Sequence, residues 1–233
     1  MAKLILFPVP IGADSPDTSL PPYNREVLNT CRIFIVENIR TARRNLKLMG
    51  YNSPIDEVTF LELNEHTSPY EITHYLDPLA QGENVGLMSE AGIPCVADPG
   101  SLITAMAQRN GIEILPLVGP SSIILALMAS GFNGQNFAFN GYPPINEKER
   151  TALIRTLEQR IHRDNQTQIF IEAPYRNDKL LHFFANHLQP VTRICVACDL
   201  TLPTQFVRTR LARQWLTNPP ELHKRPTIFL LYK

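Results

Sequence analysis

The stretch LMSEAGIPCVADPG, Leu87 to Gly100, carries two acids, Glu90 and Asp98, with two glycines and two prolines. An apolar run precedes it and a helix-like run follows, so dense turn chemistry sits where a strand passes to a helix. That marks a candidate ligand loop, because glycine and alanine let the main chain approach a ligand. Three other loops share this character. PVPIGA, Pro8 to Ala13, ends a strand in prolines, Pro10 among them, and is either a ligand loop or an ordinary tight turn. VENIRTARRNLKLMG, Val36 to Gly50, places Glu37 at the end of a buried strand and Asn38 as a helix cap. Arg40, Arg43, Arg44 and Lys47 then recur at helical spacing and make one face basic. Both a solvated face and a phosphate-contacting face fit that pattern. VGPSSIILALMASGF, Val118 to Phe132, puts Ser121 and Ser122 in the first turn of a helix, where hydroxyls either cap the helix or meet the polar edge of a ligand.

Several chemistries find no footing. The chain has no G-x-x-x-x-G-K-[ST], no G-x-G-x-x-G, no G-x-S-x-G and no H-E-x-x-H. The six histidines show no metal-ligand spacing. Cys195 and Cys198 form a C-x-x-C, yet they lie inside the β-type run RICVACDL with no second pair to complete a zinc site. They are expected to pack as small hydrophobes. No metal is expected.

The elements that must position these loops alternate between β-rich and helical patterns. Strands are expected at Leu4–Val9, Ile33–Glu37, Glu57–Leu61, Asn84–Ser89 and Ile112–Leu117, with helices near 24–31, 39–49, 70–81 and 101–109. The second half reads as strands at 136–140, 167–172, 193–197, 205–208 and 227–232, with helices at 121–130, 147–163, 177–187 and 211–217. This is an α/β chain of two α/β domains, 1–117 and 118–233, meeting at the Pro- and Gly-containing LPLVGPSS. Ligands in such sheets bind beyond the carboxyl ends of the strands, and two domains add a cleft between them. With 233 residues, 44% hydrophobic and 19% charged, a packed core is expected. Lys plus Arg and Asp plus Glu number 22 each, which argues against nucleic-acid binding by bulk charge but permits a local basic patch. The apolar start is short and broken by Pro8 and Pro10, and no run approaches a membrane span. A cytoplasmic protein without a membrane partner is expected.

Taken in order, PIG, VEN-I-R-TARRNL, NEH, SEAGIPCVADPG, VGPSS, ASGF, F-N-GYPP, EAPYR and DLT resemble the tetrapyrrole-methylase superfamily of S-adenosylmethionine-dependent methyltransferases. The likeness runs from about Leu4 to about Val207. It is greatest to the branch that methylates a cytidine ribose 2′-hydroxyl of small-subunit ribosomal RNA. The resemblance implies a mainly parallel N-terminal sheet, a mixed C-terminal sheet, S-adenosylmethionine in the cleft between the domains, and a homodimer. It implies that Pro10, Met88, Ser89, Glu90, Ala91, Gly92 and Ile93 line the cofactor from the first domain. Ser121, Ser122, Glu172, Leu200 and Thr227 would line it from the second. Arg40, Arg43, Arg44, Glu65 and His66 would face the acceptor, ribosomal RNA or the small ribosomal subunit.

Methyl transfer from a sulfonium needs positioning and desolvation more than it needs a metal. A hydroxyl acceptor must also lose a proton. Among Glu37, Glu65 and Glu90, Glu37 is the candidate base or orienter, with Arg40 beside it; the alternative is that Glu37 merely pairs with Arg40 or Arg43. Asp98 is expected to cap the following helix, with Pro99 at its first position.

The chain departs from the family pattern at informative places. Where the family reads E-D-T-R, this chain has Glu37-Asn38-Ile39-Arg40; where it reads S-D-A-G-T-P, the chain has Ser89-Glu90-Ala91-Gly92-Ile93-Pro94. E-S-P-H-R becomes Glu172-Ala173-Pro174-Tyr175-Arg176, and a glycine-and-acid pair becomes Arg225-Pro226-Thr227. The cofactor scaffold is retained better than the acceptor side. A methylase for a tetrapyrrole or other small molecule, and a non-catalytic cofactor-binding paralogue, therefore stand beside the RNA reading. Lys148, Arg150 and Arg155, with the first-domain arginines, lean towards RNA phosphate.

Overall fold

The computed structural model describes residues 2–12 and 16–233, so Ala13 at the end of the first loop lies outside the described residues. The chain divides into two compact units, Met1–Ser121 and Ser122–Lys233.

The first unit is built on five parallel strands, β1 (Leu4–Phe7), β2 (Ile33–Val36), β3 (Thr59–Glu62), β4 (Val85–Met88) and β5 (Ile114–Pro116), in the order β3-β2-β4-β1-β5. Its helices are α1 (Pro22–Leu28), α2 (Ile39–Leu48), α3 (Pro69–Thr73), α4 (Asp77–Ala80) and α5 (Gly100–Arg109). The central strands read as unbroken apolar runs because both faces of the sheet are covered. Along β2 the side chains alternate accordingly. Phe34 and Val36 join the cluster under α1 and α2. Ile33 and Ile35 join the cluster under α5 and the 72–79 segment. Gly86 in β4 is required by space, since a Cβ there would come within 2.5 Å of the Phe34 ring.

The second unit has a mixed sheet of β6 (Phe137–Phe139), β7 (Thr167–Ile171), β8 (Arg193–Cys198), β9 (Phe206–Leu211) and β10 (Thr227–Tyr232), in the order β6-β7-β10-β8-β9. Only β6 and β7 run parallel; the other neighbours are antiparallel. Its helices are α6 (Ser122–Ser130), α7 (Glu147–Arg163) and α8 (Asn177–His187). The expected architecture, a parallel first sheet and a mixed second one, is what the chain forms.

Local differences have plain causes. The helix expected over 70–81 is two short helices, because Pro78 lacks an N–H and fits only a first turn. The expected strand at 205–208 runs on to Leu211, and the segment expected as a helix is a 3-10 turn, Ala212–Leu216. Cys195 and Cys198 pack as small hydrophobes. Three residues apart on one strand, they fall on opposite faces of the sheet, each in a different apolar cluster. Burial pushes both thiols up, so neither is a ready thiolate. Among the described residues no cluster of His, Cys, Asp and Glu could hold a metal, and no helix is long and apolar enough to cross a membrane.

Candidate functional site

In the first unit, strand register gathers the candidate loops. Phe7 of β1 and Val36 of β2 both lie level with Met88 of β4. The three strands therefore end together, and Pro8–Gly12, Glu37–Asn38 and Ser89–Ile93 emerge side by side at the carboxyl edge. Main-chain bonds then lock two of these loops together. Val9 N–H donates to Gly92 O at 2.9 Å, and Gly92 N–H donates to Val9 O at 3.1 Å. Gly92 adopts φ +73°, and a Cβ there would press on Ile11 Cγ2 and the Pro120 carbonyl. Its glycine is thus needed both for conformation and for space. Ser89 Oγ donates back to the Ala91 carbonyl at 3.2 Å, which tightens the turn. Met88 and Ser89 are buried, and Met88 packs into the core, so its side chain serves as a wall of the loop. Glu90 and Ala91 are exposed, with Ile93 and Pro10 half-buried.

Asp98 holds the far end of the loop. Its carboxylate accepts from Cys95 N–H at 2.9 Å and Gly100 N–H at 2.8 Å. The helix begins at Gly100 rather than at Pro99, which takes the cap position, so Asp98 acts from one residue further out than the cap role expected of it. Between these bonds Cys95 and Ala97 sit at φ +68° and +62°. Non-glycine residues in that region cost on the order of 1 kcal/mol each and persist only where surrounding contacts enforce them.

Asp98 has a second relation that the sequence did not disclose. With Glu37, Val36, Leu63, Met88 and Pro94 it lines a small, water-sized pocket. Burial, helped by the negative charges of Asp98 and Glu90, raises the Glu37 carboxyl to about 6, while a bond from the Glu90 main chain opposes the rise. The two acids of the loop thus act on the same neighbour. A carboxyl near 6 is mostly ionised at neutral pH and is a stronger base than an ordinary glutamate.

Glu37 makes no ion pair with Arg40 or Arg43 among the described residues. Arg43 turns to Asp56 at 3.7 Å and lies over the Phe60 ring at 5.7 Å. Asn38 caps α2 as expected, accepting from Thr41 N–H at 3.0 Å. Arg40, Arg44 and Lys47 are exposed on α2 without an acidic partner among the described residues. Glu65 and His66 follow β3, exposed and 3.6 Å apart. β3 is the edge strand next to β2, so the acceptor candidates lie towards the β3–β2 side and the cofactor candidates towards β4 and β1.

In the second unit, Ser122 is the first residue of α6, and Ser121, the last residue of the first unit, stands immediately before it in the chain. Glu172, Leu200 and Thr227 share one edge of the sheet. Ile228 pairs with Ile171 and Thr227 with Cys198, so the start of β10 lies between the ends of β7 and β8. Glu172 Oε1 is held by Arg176 at 2.6 Å and by Ala173 N–H at 2.7 Å. Thr227 Oγ1 donates to the Arg225 carbonyl at 2.9 Å. Asp199, at φ +51°, accepts from Thr204 Oγ1 at 2.8 Å and from Arg225 Nε at 2.8 Å. The Asp199–Arg225 pair was missed from sequence. Only the pairing of β8 with β10 brings the two together, although the departure at Arg225-Pro226-Thr227 was the available signal.

A family model described as Tetrapyrrole (Corrin/Porphyrin) Methylases matches residues 6–214. The ribosomal RNA small subunit methyltransferase I of Thermotoga maritima is 32% identical over 179 residues, 76% of this chain and 73% of that protein. Its namesake from Buchnera aphidicola of Schizaphis graminum is 26% identical over 231 residues, 98% of this chain and 77% of that protein. The namesake from Xylella fastidiosa is 30% identical over 182 residues, 78% of this chain and 63% of that protein. Among solved structures, the methyltransferase CobJ aligns at a TM-score of 0.65 with 18% identity, covering all of this chain and 95% of that one. Uroporphyrin-III-C-methyltransferase from Thermus thermophilus aligns at 0.56 with 16% identity, again over all of this chain and 95% of its own. At those identities the two structures speak for the fold.

Proposed function

Because the chain belongs to the tetrapyrrole (corrin/porphyrin) methylase family of S-adenosylmethionine-dependent methyltransferases, we propose that it methylates a ribose 2′-hydroxyl of small-subunit ribosomal RNA. The observation that carries the acceptor is the name shared by its relatives, each a ribosomal RNA small subunit methyltransferase I. The site is compatible with that chemistry. When bound, S-adenosylmethionine supplies a methyl group on a positively charged sulfur. The residues of the first unit suit such a cation. The Ser89–Ile93 loop offers small residues, main-chain groups and the exposed Glu90 carboxylate, and no basic side chain.

Each candidate then has a role in its own unit. Glu90, Ala91, Gly92, Ile93 and Pro10 bind the cofactor, with Met88 and Ser89 fixing the loop. Ser121, Ser122, Glu172, Leu200 and Thr227 are further cofactor-binding candidates; the Arg176 bond leaves Glu172 a held carboxylate rather than a mobile one. Glu37 accepts the hydroxyl proton at its carboxylate, and its raised pKa keeps it a competent base near neutrality. Arg40, Arg44 and Lys47 neutralise RNA phosphates, with Arg43, Glu65 and His66 orienting the acceptor. The family likeness also supports a homodimer acting in the cytoplasm.

The test is transfer from isotopically labelled S-adenosylmethionine to small-subunit RNA by the purified chain, followed by digestion to nucleosides. A single labelled 2′-O-methylnucleoside is expected. Label on a base instead, or transfer only to a tetrapyrrole, would overturn the acceptor assignment.

A further inference from the structure

Strand β9 is one of the two edges of the second sheet, paired with β8 alone among the described residues. Alternation along it sends Val207 and Thr209 to the α6 face, where Thr209 Oγ1 donates to the Ser130 carbonyl at 2.8 Å. Phe206, Arg208 and Arg210 go to the other face. There the Arg208 guanidinium lies 5.2 Å from the Phe206 ring centre, and that of Arg210 lies 5.1 Å from the Trp215 ring. The Trp215 ring is itself held in place. It is buried, and its Nε1 donates to the Ile194 carbonyl at 3.1 Å. Arg213 follows in the 3-10 turn, exposed.

None of these three arginines has an ion pair or side-chain hydrogen bond among the described residues. Elsewhere in the unit Arg176 holds Glu172, Arg225 holds Asp199, and Arg163 meets Asp164 at 3.2 Å, whereas Arg150, Arg155 and Arg160 on α7 also lack an acidic partner among the described residues. In a chain with 22 basic and 22 acidic residues, an unmatched run of three is a local feature rather than a bulk excess. Charge on an edge strand also keeps sheets from pairing, but lysine serves that end equally well. Stacking on fixed rings does more. It pre-orders the planar guanidinium forks while leaving their N–H groups open to a phosphate. Two residues along a strand span about 6.8 Å, so Arg208 and Arg210 present two such forks in register on one face.

We propose that the β9 edge is a contact for the backbone of single-stranded RNA, with Arg208, Arg210 and Arg213 each meeting a phosphate. It rests on the RNA-acceptor reading only for its biological setting and makes no use of the residues assigned to catalysis.

The probe is a mixed-sequence single-stranded RNA oligonucleotide, titrated with the full chain across a range of salt. Each phosphate contact contributes about 0.7 to the slope of log affinity against log salt, so the triple variant Arg208→Gln, Arg210→Gln, Arg213→Gln should lose about 2 from that slope. Cofactor binding should not change. Arg213→Gln alone touches no ring and should lose about 0.7, which keeps the test valid if the triple variant folds poorly. The pair Arg208→Lys, Arg210→Lys should keep the slope. An unchanged slope in Arg213→Gln and the triple variant, or no RNA binding by the parent chain, overturns the proposal. So does binding of polyglutamate as tight as that of RNA. A parent chain that binds RNA through these arginines but transfers no methyl to ribosomal RNA supports the edge contact and overturns the acceptor reading instead.

Discussion

Replacing Glu37 by Gln is expected to lower methyl transfer by about a hundredfold or more, the usual scale for loss of a general base. Cofactor affinity should stay within about twofold, since the amide keeps the shape and the carbonyl that faces the Glu90 main chain. The pH profile separates this role from a structural one. The carboxyl is raised to about 6, and a base works in its ionised form, so the parent rate should fall as pH drops through about 6. The residual rate of Glu37→Gln should lack that limb. Stability moves the other way. A carboxyl raised in the folded state binds its proton more tightly there than in the unfolded chain. Its contribution to stability is greatest below the ordinary carboxylate range and is lost as pH rises through about 6. The amide should therefore leave the protein no less stable at pH 7 to 8. Full activity in Glu37→Gln, or a loss of activity that only tracks unfolding, would remove Glu37 from the chemistry.

The second large effect concerns the two acids of the Leu87–Gly100 loop. Asp98→Ala leaves the Cys95 and Gly100 N–H groups without their acceptor, in a loop that already holds two non-glycine residues at positive φ. The expected cost is on the order of 2–4 kcal/mol, or a melting temperature lower by roughly 5–15 °C. Burial raises the Asp98 carboxyl and opposes the two N–H donors, which places the cost towards the lower end. Because Asp98 also raises Glu37, its removal should move the low-pH limb of activity to lower pH. Glu90→Ala should leave melting almost unchanged and weaken S-adenosylmethionine by about tenfold, as befits an exposed carboxylate facing a cation. Calorimetry and thermal melting of the two variants give both readouts. The reverse pattern, with Glu90 carrying stability and Asp98 cofactor affinity, would invert the assignment.

The fold was legible where periodicity was strong. β2 and β4 are short apolar runs bounded by turn residues, and α7 and α8 carry clear helical spacing, so their positions follow from the chain alone. Boundaries failed where one residue overrode the pattern, as Pro78 does between α3 and α4. The candidate loops were legible as such, since each lies where a strand ends. Their electrostatics were not. Glu37 and Asp98 are sixty-one residues apart in the chain and meet only because β2 and β4 pair in register. Asp199 and Arg225 meet for the same reason across β8 and β10. The β9 arginines do not stand out in the chain because an R-x-R-x-x-R run reads as ordinary surface charge until the rings of Phe206 and Trp215 lie beneath two of them.

Methylation of a ribose in small-subunit ribosomal RNA is read out by mass spectrometry of that RNA from cells with the protein and cells lacking it. Cells lacking the protein should have lost one 2′-O-methyl group, restored by the parent chain and not by Glu37→Gln. An identical methylation profile in the two cell lines would contradict it.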